Sequence, residues 1–462
     1  MSLTTKTSSQ NKPLPTLADA PMDARHIWIG AVASMEQLIG AGLSTLAGII
    51  IPMLNLILHP ELSPFMQGLA GAAGLIGIAI GSPLIGRIAD RVGYLTPFRA
   101  CPLLITAGAL LIFFTSSIVP LVAGLFIIGL GVGGGYSLDS AYISELMPDK
   151  WRATMVGIAK ASSAIGFIGV AVACYFIIKS HPTPEIWPTL SLIIASLGIL
   201  TFLMRLRWAE SPLWLIDHGQ KARAEKAVGK FFCNKVTLDS VTSDTKPVQS
   251  SSNTGFVELF KGKNLVKVLF SGIPWACEGV GVYGVGVFLP ILLIALGLEN
   301  SGMTGIPKIL YSVRLTAIIN CFILVGFTAG LLMLPKHSQL KMLVNGFIGA
   351  AAGLGIVLAA HIYHWPAWIS IAGFLFFEFT LNLGPHLITY IIPTKVFTIE
   401  ERAAGNGIAA FLGKVGAIGG VFLMPALLHA GGMVLVLWAC IGFNLLGALV
   451  AALLGPKAMS QN

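Results

Sequence analysis

The sequence predicts an all-α membrane protein, with twelve transmembrane helices in two pseudo-symmetric six-helix bundles, and three observations predict it. Of 462 residues, 55% are hydrophobic and only 11% are charged. The mean hydropathy is +0.83, outside the range of soluble domains. Apolar segments of roughly 20 residues recur along the whole chain, the length at which a helix crosses hydrocarbon with its backbone hydrogen bonds satisfied internally. The third observation is an internal repeat. Arg152-Ala153, Gly157-Ile158-Ala159 and Gly166 return 250 residues later as Arg402-Ala403, Gly407-Ile408-Ala409 and Gly416. Six identities at fixed spacing, each set opening a span, argue for a duplicated bundle and put any small-molecule site between the halves, near the midplane.

The chain begins with a polar stretch, residues 1–27, which has no short apolar run ending at a small-residue cleavage site. The first span is therefore expected to be retained. Apolar spans are predicted at 28–56, 63–85, 101–118, 121–146, 153–178 and 187–204, then at 266–296, 309–334, 342–362, 367–392, 403–428 and 433–454. The longest of these must tilt. Residues 28–204 and 264–455 thus form the two bundles, and 456–462 a short tail. The connection 205–263 reads as a polar linker, helical over 221–230 and rich in Ser, Thr and Asp over 240–253, too polar to bury. Pro274, Pro290 and Pro385 are expected to mark bends in the seventh and tenth spans.

The net charge of +9 raises the question of nucleic acid. With the N-terminus placed in the cytoplasm, 24 of the 29 lysines and arginines fall in cytoplasmic segments, Lys179 and Lys308 fall outside, and Lys160, Arg314 and Lys414 lie within spans. That alternation is the positive-inside pattern, which orients the chain in a cell membrane with both termini cytoplasmic and argues against a basic nucleic-acid groove. The six cysteines show no paired spacing and read as small core residues.

After the second span, residues 86–93 read Gly-Arg-Ile-Ala-Asp-Arg-Val-Gly. They resemble the G-x-x-x-D-R-x-G signature of the major facilitator superfamily, in which the acid and its arginine clamp helix ends. The resemblance implies gating roles for Gly86, Asp90, Arg91 and Gly93, and the fold of two six-helix bundles with alternating access. Glu145-Leu146-Met147-Pro148 with Arg152, repeated as Arg402, and Glu210-Ser211-Pro212 resemble sugar-porter signatures. Residues 133–138 and 383–418 are similar to the phosphate:proton symporter branch. That similarity implies substrate-lining roles for Tyr136, Trp275, Tyr283 and Lys414. The branch, however, carries acids where Gly135 and Thr394 stand, and asparagine where His386 stands, so inorganic phosphate is not the first expectation.

A charge in hydrocarbon costs on the order of 2.5 to 3.5 kcal/mol by insertion scales, so each intramembrane ionisable residue is a functional candidate. Glu36 and Lys160 both lie about eight residues inside their spans, a level roughly 12 Å deep at the helical rise. They are expected to pair, either as a structural tie or as a switch in which a proton on Glu36 releases Lys160 to an anion. Glu278 and Lys414 lie near the midplane, the acid as proton carrier and the lysine as substrate contact, or each neutralising the other. His386 reads as a hydrogen-bond donor to substrate or a titrating group, or else as a helix-packing histidine. Arg314 is nearer the outer surface, where it contacts substrate or snorkels. Asp139, standing in for the acid missing at Gly135, and Glu378, facing other helices through a water-filled gap, are further candidates for proton coupling.

The reading is a proton-coupled symporter of a small organic anion, with no cofactor beyond the coupling proton, no metal site, no catalytic constellation and a monomeric carrier in the lipid bilayer. A phosphate:proton symporter, an antiporter exporting a metabolite or drug, and a transporter-like nutrient receptor remain as alternatives.

Overall fold

The computed structural model describes residues 20–58, 61–233, 235–236, 258–298, 303–398 and 401–459. Residues 1–19 of the expected polar tail 1–27 and the stretch 240–253 lie outside the described residues, as do the side chains of Thr394 and Arg402, while the end of that tail is already helical from Ala24. In chain order the helices are α1 (Ala24–Val32), α2 (Met35–Ile57), α3 (Pro64–Val92), α4 (Leu95–Phe113), α5 (Ile118–Leu146), α6 (Asp149–Ser180), α7 (Ser191–Arg205), α8 (Pro212–Asp217) and α9 (Lys221–Phe232). The second half follows with α10 (Gly262–Gly279), α11 (Gly286–Ala295), α12 (Gly305–Met333), α13 (Gln339–Ile362), α14 (Ala367–Leu383), α15 (Pro385–Val396) and α16 (Arg402–Met459). Among the described residues there is no strand. All twelve predicted spans are helical.

Several spans are built from two pieces. The first is broken at Ala33–Ser34, and the tenth at Gly384. The last two run as one helix apart from Gly431 and Gly432, where φ of +63° at Gly432 suits glycine and turns the chain back. Pro385 opens α15 directly at a break, as the sequence suggests. Pro274 and Pro290 do not mark breaks: the irregularity of the seventh span is a π-helical stretch, Val280–Val285, between them.

Local sequence sets the helix ends. Ser63 accepts from the Met66 N–H and Pro64 fills the first helical position, which starts α3; Gly93, at φ +97°, ends it. Gly77 and Gly81 lie against the α5 backbone while Gly129 and Gly133 lie against α3, so the two helices meet backbone to backbone, with no room for a Cβ.

The bundles touch along three seams, α6 with α12, α3 with α16, and α2 with α11. Asn320 donates to the Phe167 carbonyl across the first, at 3.3 Å. At the end remote from Gly93, Gly48 abuts the Val287 carbonyl and Gly68 the Phe422 carbonyl, so the bundles are closed against one another there.

One expectation needs correction: Arg205 is not the first residue of a linker but ends α7, fully buried in the N-terminal bundle. The expected helix over 221–230 forms as α9, and Ala224, Ala227, Val228, Phe231 and Phe232, at helical spacing, bury it in one apolar cluster with Ile29, Phe98 and Trp208. Four cysteines are buried, whereas Cys233 and Cys321 are exposed.

Candidate functional site

Between the bundles lies a cavity of about 270 Å³. Helix α6 supplies Lys160, α10 supplies Trp275 and Glu278, and the π-helical stretch supplies Tyr283. From α16 come Lys414 and Asn406, from α5 Tyr136 and Ser140, from α2 Gln37 and from α15 Tyr390. The lining runs from the middle of the spans toward the end that carries the Gly86–Gly93 motif. The opposite end is sealed by the Gly48 and Gly68 contacts.

The residues that the resemblance implied for substrate, Tyr136, Trp275, Tyr283 and Lys414, therefore share one space with Lys160 and Glu278. The Lys414 ammonium lies 5.7 Å from the Tyr136 ring centroid and 5.5 Å from that of Tyr283, within cation–π range of two faces. Trp275 meets Tyr390 edge-on at 5.9 Å. Ring faces pack the ammonium without neutralising it, so it stays available to an anion. Tyr390, Gln37 and Asn406 were missed by the sequence reading. Tyr390 follows His386 by one helical turn, a usable signal; the other two are uncharged residues in long spans.

The expected Glu36–Lys160 pair does not form. Glu36 is fully buried and paired with Arg205, whose guanidinium also donates to Asp139 at 2.8 Å and to the Phe98 carbonyl at 2.9 Å while stacking over the Phe98 ring at 3.6 Å. The contacts Ser162–Ser34 and Gly166–Leu38 set α2 and α6 in a register that places Lys160 about one helical turn nearer the motif end than Glu36, so the expected equal level does not hold. Asp139 consequently faces Arg205, touching only a narrow crevice beside Lys160. Arg314 is exposed on the outer face of α12, stacked over Tyr311 at 5.0 Å, and takes no part in the cavity.

His386 does not line the cavity; it lies behind it. Its Nδ1 is 2.8 Å from Asn382 Oδ1, and its Nε2 is 3.6 Å from Glu278 Oε1. Glu378 is buried too, accepting from Asn382 Nδ2 at 3.1 Å. The expected gap around Glu378 is thus filled by an asparagine.

At the motif end, Asp90 and Arg91 are exposed, and the carboxylate that holds the turn belongs to Glu210. It accepts from the Tyr94 N–H at 2.7 Å, the Leu95 N–H at 3.0 Å and the Ser211 N–H at 2.9 Å, capping α4. Gly93 fits under this carboxylate because it has no side chain. Ser211 donates to Glu145 at 2.6 Å, and Arg152 pairs with Asp149 at 2.6 Å. Burial, with the Asp90 carboxylate beside it, pushes the Tyr94 hydroxyl above its ordinary value. The C-terminal half closes its own end differently. Burial alone would raise the Glu401 carboxyl, but donation from Asn264 at 2.8 Å and the Lys267 ammonium at 3.4 Å outweigh it and hold the group below the usual carboxylate value.

Comparison with known proteins agrees with this fold. The family profile described as sugar (and other) transporter matches residues 26–460. The chain is 27% identical over 443 residues to the inner membrane metabolite transport protein YgcS of Escherichia coli, covering 95% of this chain and 93% of that protein. It is 24% identical to the niacin transporter NiaP of Acinetobacter baylyi over 85% and 84% of the two chains. The partially occluded, inward-open structure of the xylose transporter XylE from E. coli superposes with a TM-score of 0.77 at 18% identity, covering 92% of this chain and 97% of that one.

Proposed function

The chain belongs to the sugar (and other) transporter family of the major facilitator superfamily, and from that premise we propose that it carries a small organic anion by proton-coupled symport. One observation carries the proposal: Lys160 of one bundle and Lys414 of the other face the same cavity as Glu278. An anion held between two cations on opposite bundles relieves their repulsion and draws the bundles together, which is the occluding step of alternating access.

Glu278 competes with that anion for the lysines while it is ionised, and releases them when it takes a proton. Anion and proton therefore bind more tightly together than apart, and by linkage each promotes the other to the same degree. The aromatic walls suit a carboxylate on a flat apolar body, such as the niacin named for one relative. A compact phosphate also fits between two lysines and is the second reading, favoured by the Tyr136, Trp275 and Tyr283 wall. A neutral sugar brings no charge to the two lysines, which then share the single Glu278 carboxylate. The charge pattern of the loops supports an orientation in the cell membrane with both termini cytoplasmic.

The test is proton entry into liposomes containing the purified protein, driven in turn by nicotinate, benzoate, lactate, succinate, phosphate and glucose. Entry with a carboxylate, lost in both Lys414→Ala and Glu278→Gln, supports the proposal. Entry with glucose alone, or entry unchanged in both variants, refutes it.

A further inference from the structure

Glu378, Asn382 and His386 follow one another at four-residue spacing along α14 and the start of α15, all three almost fully buried. Their hydrogen bonds run in one direction. Asn382 Nδ2 donates to the Glu378 side chain at 3.1 Å and to the Glu378 carbonyl at 2.8 Å. Both acceptors are oxygens, so the NH₂ end of the amide is fixed toward Glu378 and Oδ1 toward the imidazole. An amide oxygen only accepts. His386 Nδ1, 2.8 Å away, therefore carries the hydrogen, and Nε2 is left as the nitrogen that gains or loses a proton.

That Nε2 is buried, without a hydrogen-bond partner, and 3.6 Å from Glu278 Oε1. At this separation the two do not yet share a hydrogen bond, but a shift of less than 1 Å makes one. The Phe327 ring, with its centroid 4.9 Å from that of the imidazole, covers the histidine's flank.

We propose that His386 is a second station for the transported proton, exchanging it with Glu278 through Nε2, and that Asn382 and Glu378 are positioning residues that keep the imidazole in the Nδ1–H tautomer. This inference rests on the reading of Glu278 as proton carrier. In the exchange the O–H bond of the Glu278 carboxylic acid breaks and an N–H bond forms at Nε2, leaving a carboxylate and an imidazolium. No other group gains or loses charge. Lys160 of α6 and Lys414 of α16 face the couple from the cavity side, with Tyr283 of the π-helical stretch, Tyr136 of α5 and Tyr390 of α15 on the same wall. Glu378 faces it from behind through Asn382. An anion arriving between the lysines favours the proton on Glu278, and an empty cavity favours it on His386, where the carboxylate left behind pairs with the lysines. The station thus holds the proton away from the cavity while no anion is bound.

The experiment is ¹⁵N solid-state NMR of the full chain, labelled at histidine and reconstituted in liposomes of E. coli polar lipid, through a pH titration with no substrate added. The His386 signals are assigned by their loss in His386→Gln or His386→Phe. The expected result is an Nδ1–H tautomer at neutral pH and protonation of Nε2 on acidification. In Glu278→Gln the imidazolium forms less readily, its midpoint moving by about one pH unit or more. In Asn382→Leu the tautomer preference is lost. An Nε2–H tautomer in the wild type, or an unmoved midpoint in Glu278→Gln, overturns the proposal using protein whose folding the wild-type spectrum itself reports. Because no substrate enters this measurement, the inference and the symport reading fail separately: a Glu278→Gln protein that transports protons normally refutes the latter, whereas these spectra address only His386.

Discussion

Each bundle buries two carboxylates beside one nitrogen base, and the two sets are built differently. In the N-terminal bundle Glu36 and Asp139 close on Arg205, a guanidinium that is always charged, is fully buried and has a ring stacked on its face. In the C-terminal bundle Glu278 and Glu378 flank His386, an imidazole that can exist with or without a charge and whose Nε2 has no hydrogen-bond partner. A permanent cation makes a permanent tie. A titratable one makes a place where a proton can wait. The difference also follows exposure: the arginine set meets only the narrow crevice that Asp139 lines, while the histidine set reaches the cavity itself through Glu278.

The largest effect is expected from Arg205→Leu, which leaves two buried carboxylates unpaired and costs about 3–5 kcal/mol of stability. A large fall in melting temperature of the detergent-purified protein checks it. Replacing the whole set, Arg205→Met with Glu36→Gln and Asp139→Asn, restores most of that loss, since no charge is then stranded. Glu278→Gln sharpens the contrast from the other side: it removes proton-driven uptake while lowering the melting temperature far less than Arg205→Leu. Glu36→Gln decides whether the contrast holds at all. Arg205 keeps Asp139, so proton-driven uptake is expected to fall less than in Glu278→Gln, and an equal fall means that both bundles carry the proton.

The smallest effect concerns Glu401, whose folded carboxyl is held below its unfolded value. Its stabilisation is present above the unfolded carboxylate value and is lost as pH falls through the folded one. Melting curves of wild type and Glu401→Gln should therefore differ slightly at neutral pH and converge below about pH 4.

The cavity was legible in the sequence to the extent that its charges were. Lys160, Glu278 and Lys414 stand out because an ionisable residue in hydrocarbon needs a reason to be there, and the repeat located the site between the halves. Arg205 was not legible: it sits at the end of a span with Arg207 two residues on, and reads as one of the basic residues that mark the cytoplasmic edge. Glu210 showed as a motif residue, but the turn it caps lies more than a hundred residues away in sequence.

What the sequence determined by itself is the all-helical membrane architecture, the approximate course of the spans, the twofold repeat and which spans carry charges. These follow from the length of hydrocarbon to be crossed and the rise of a helix, which are local quantities. Tertiary structure alone decided which charges meet. Glu36 turns to Arg205 and Lys160 to the cavity, because the register and rotation of each helix are fixed only when all the helices pack together.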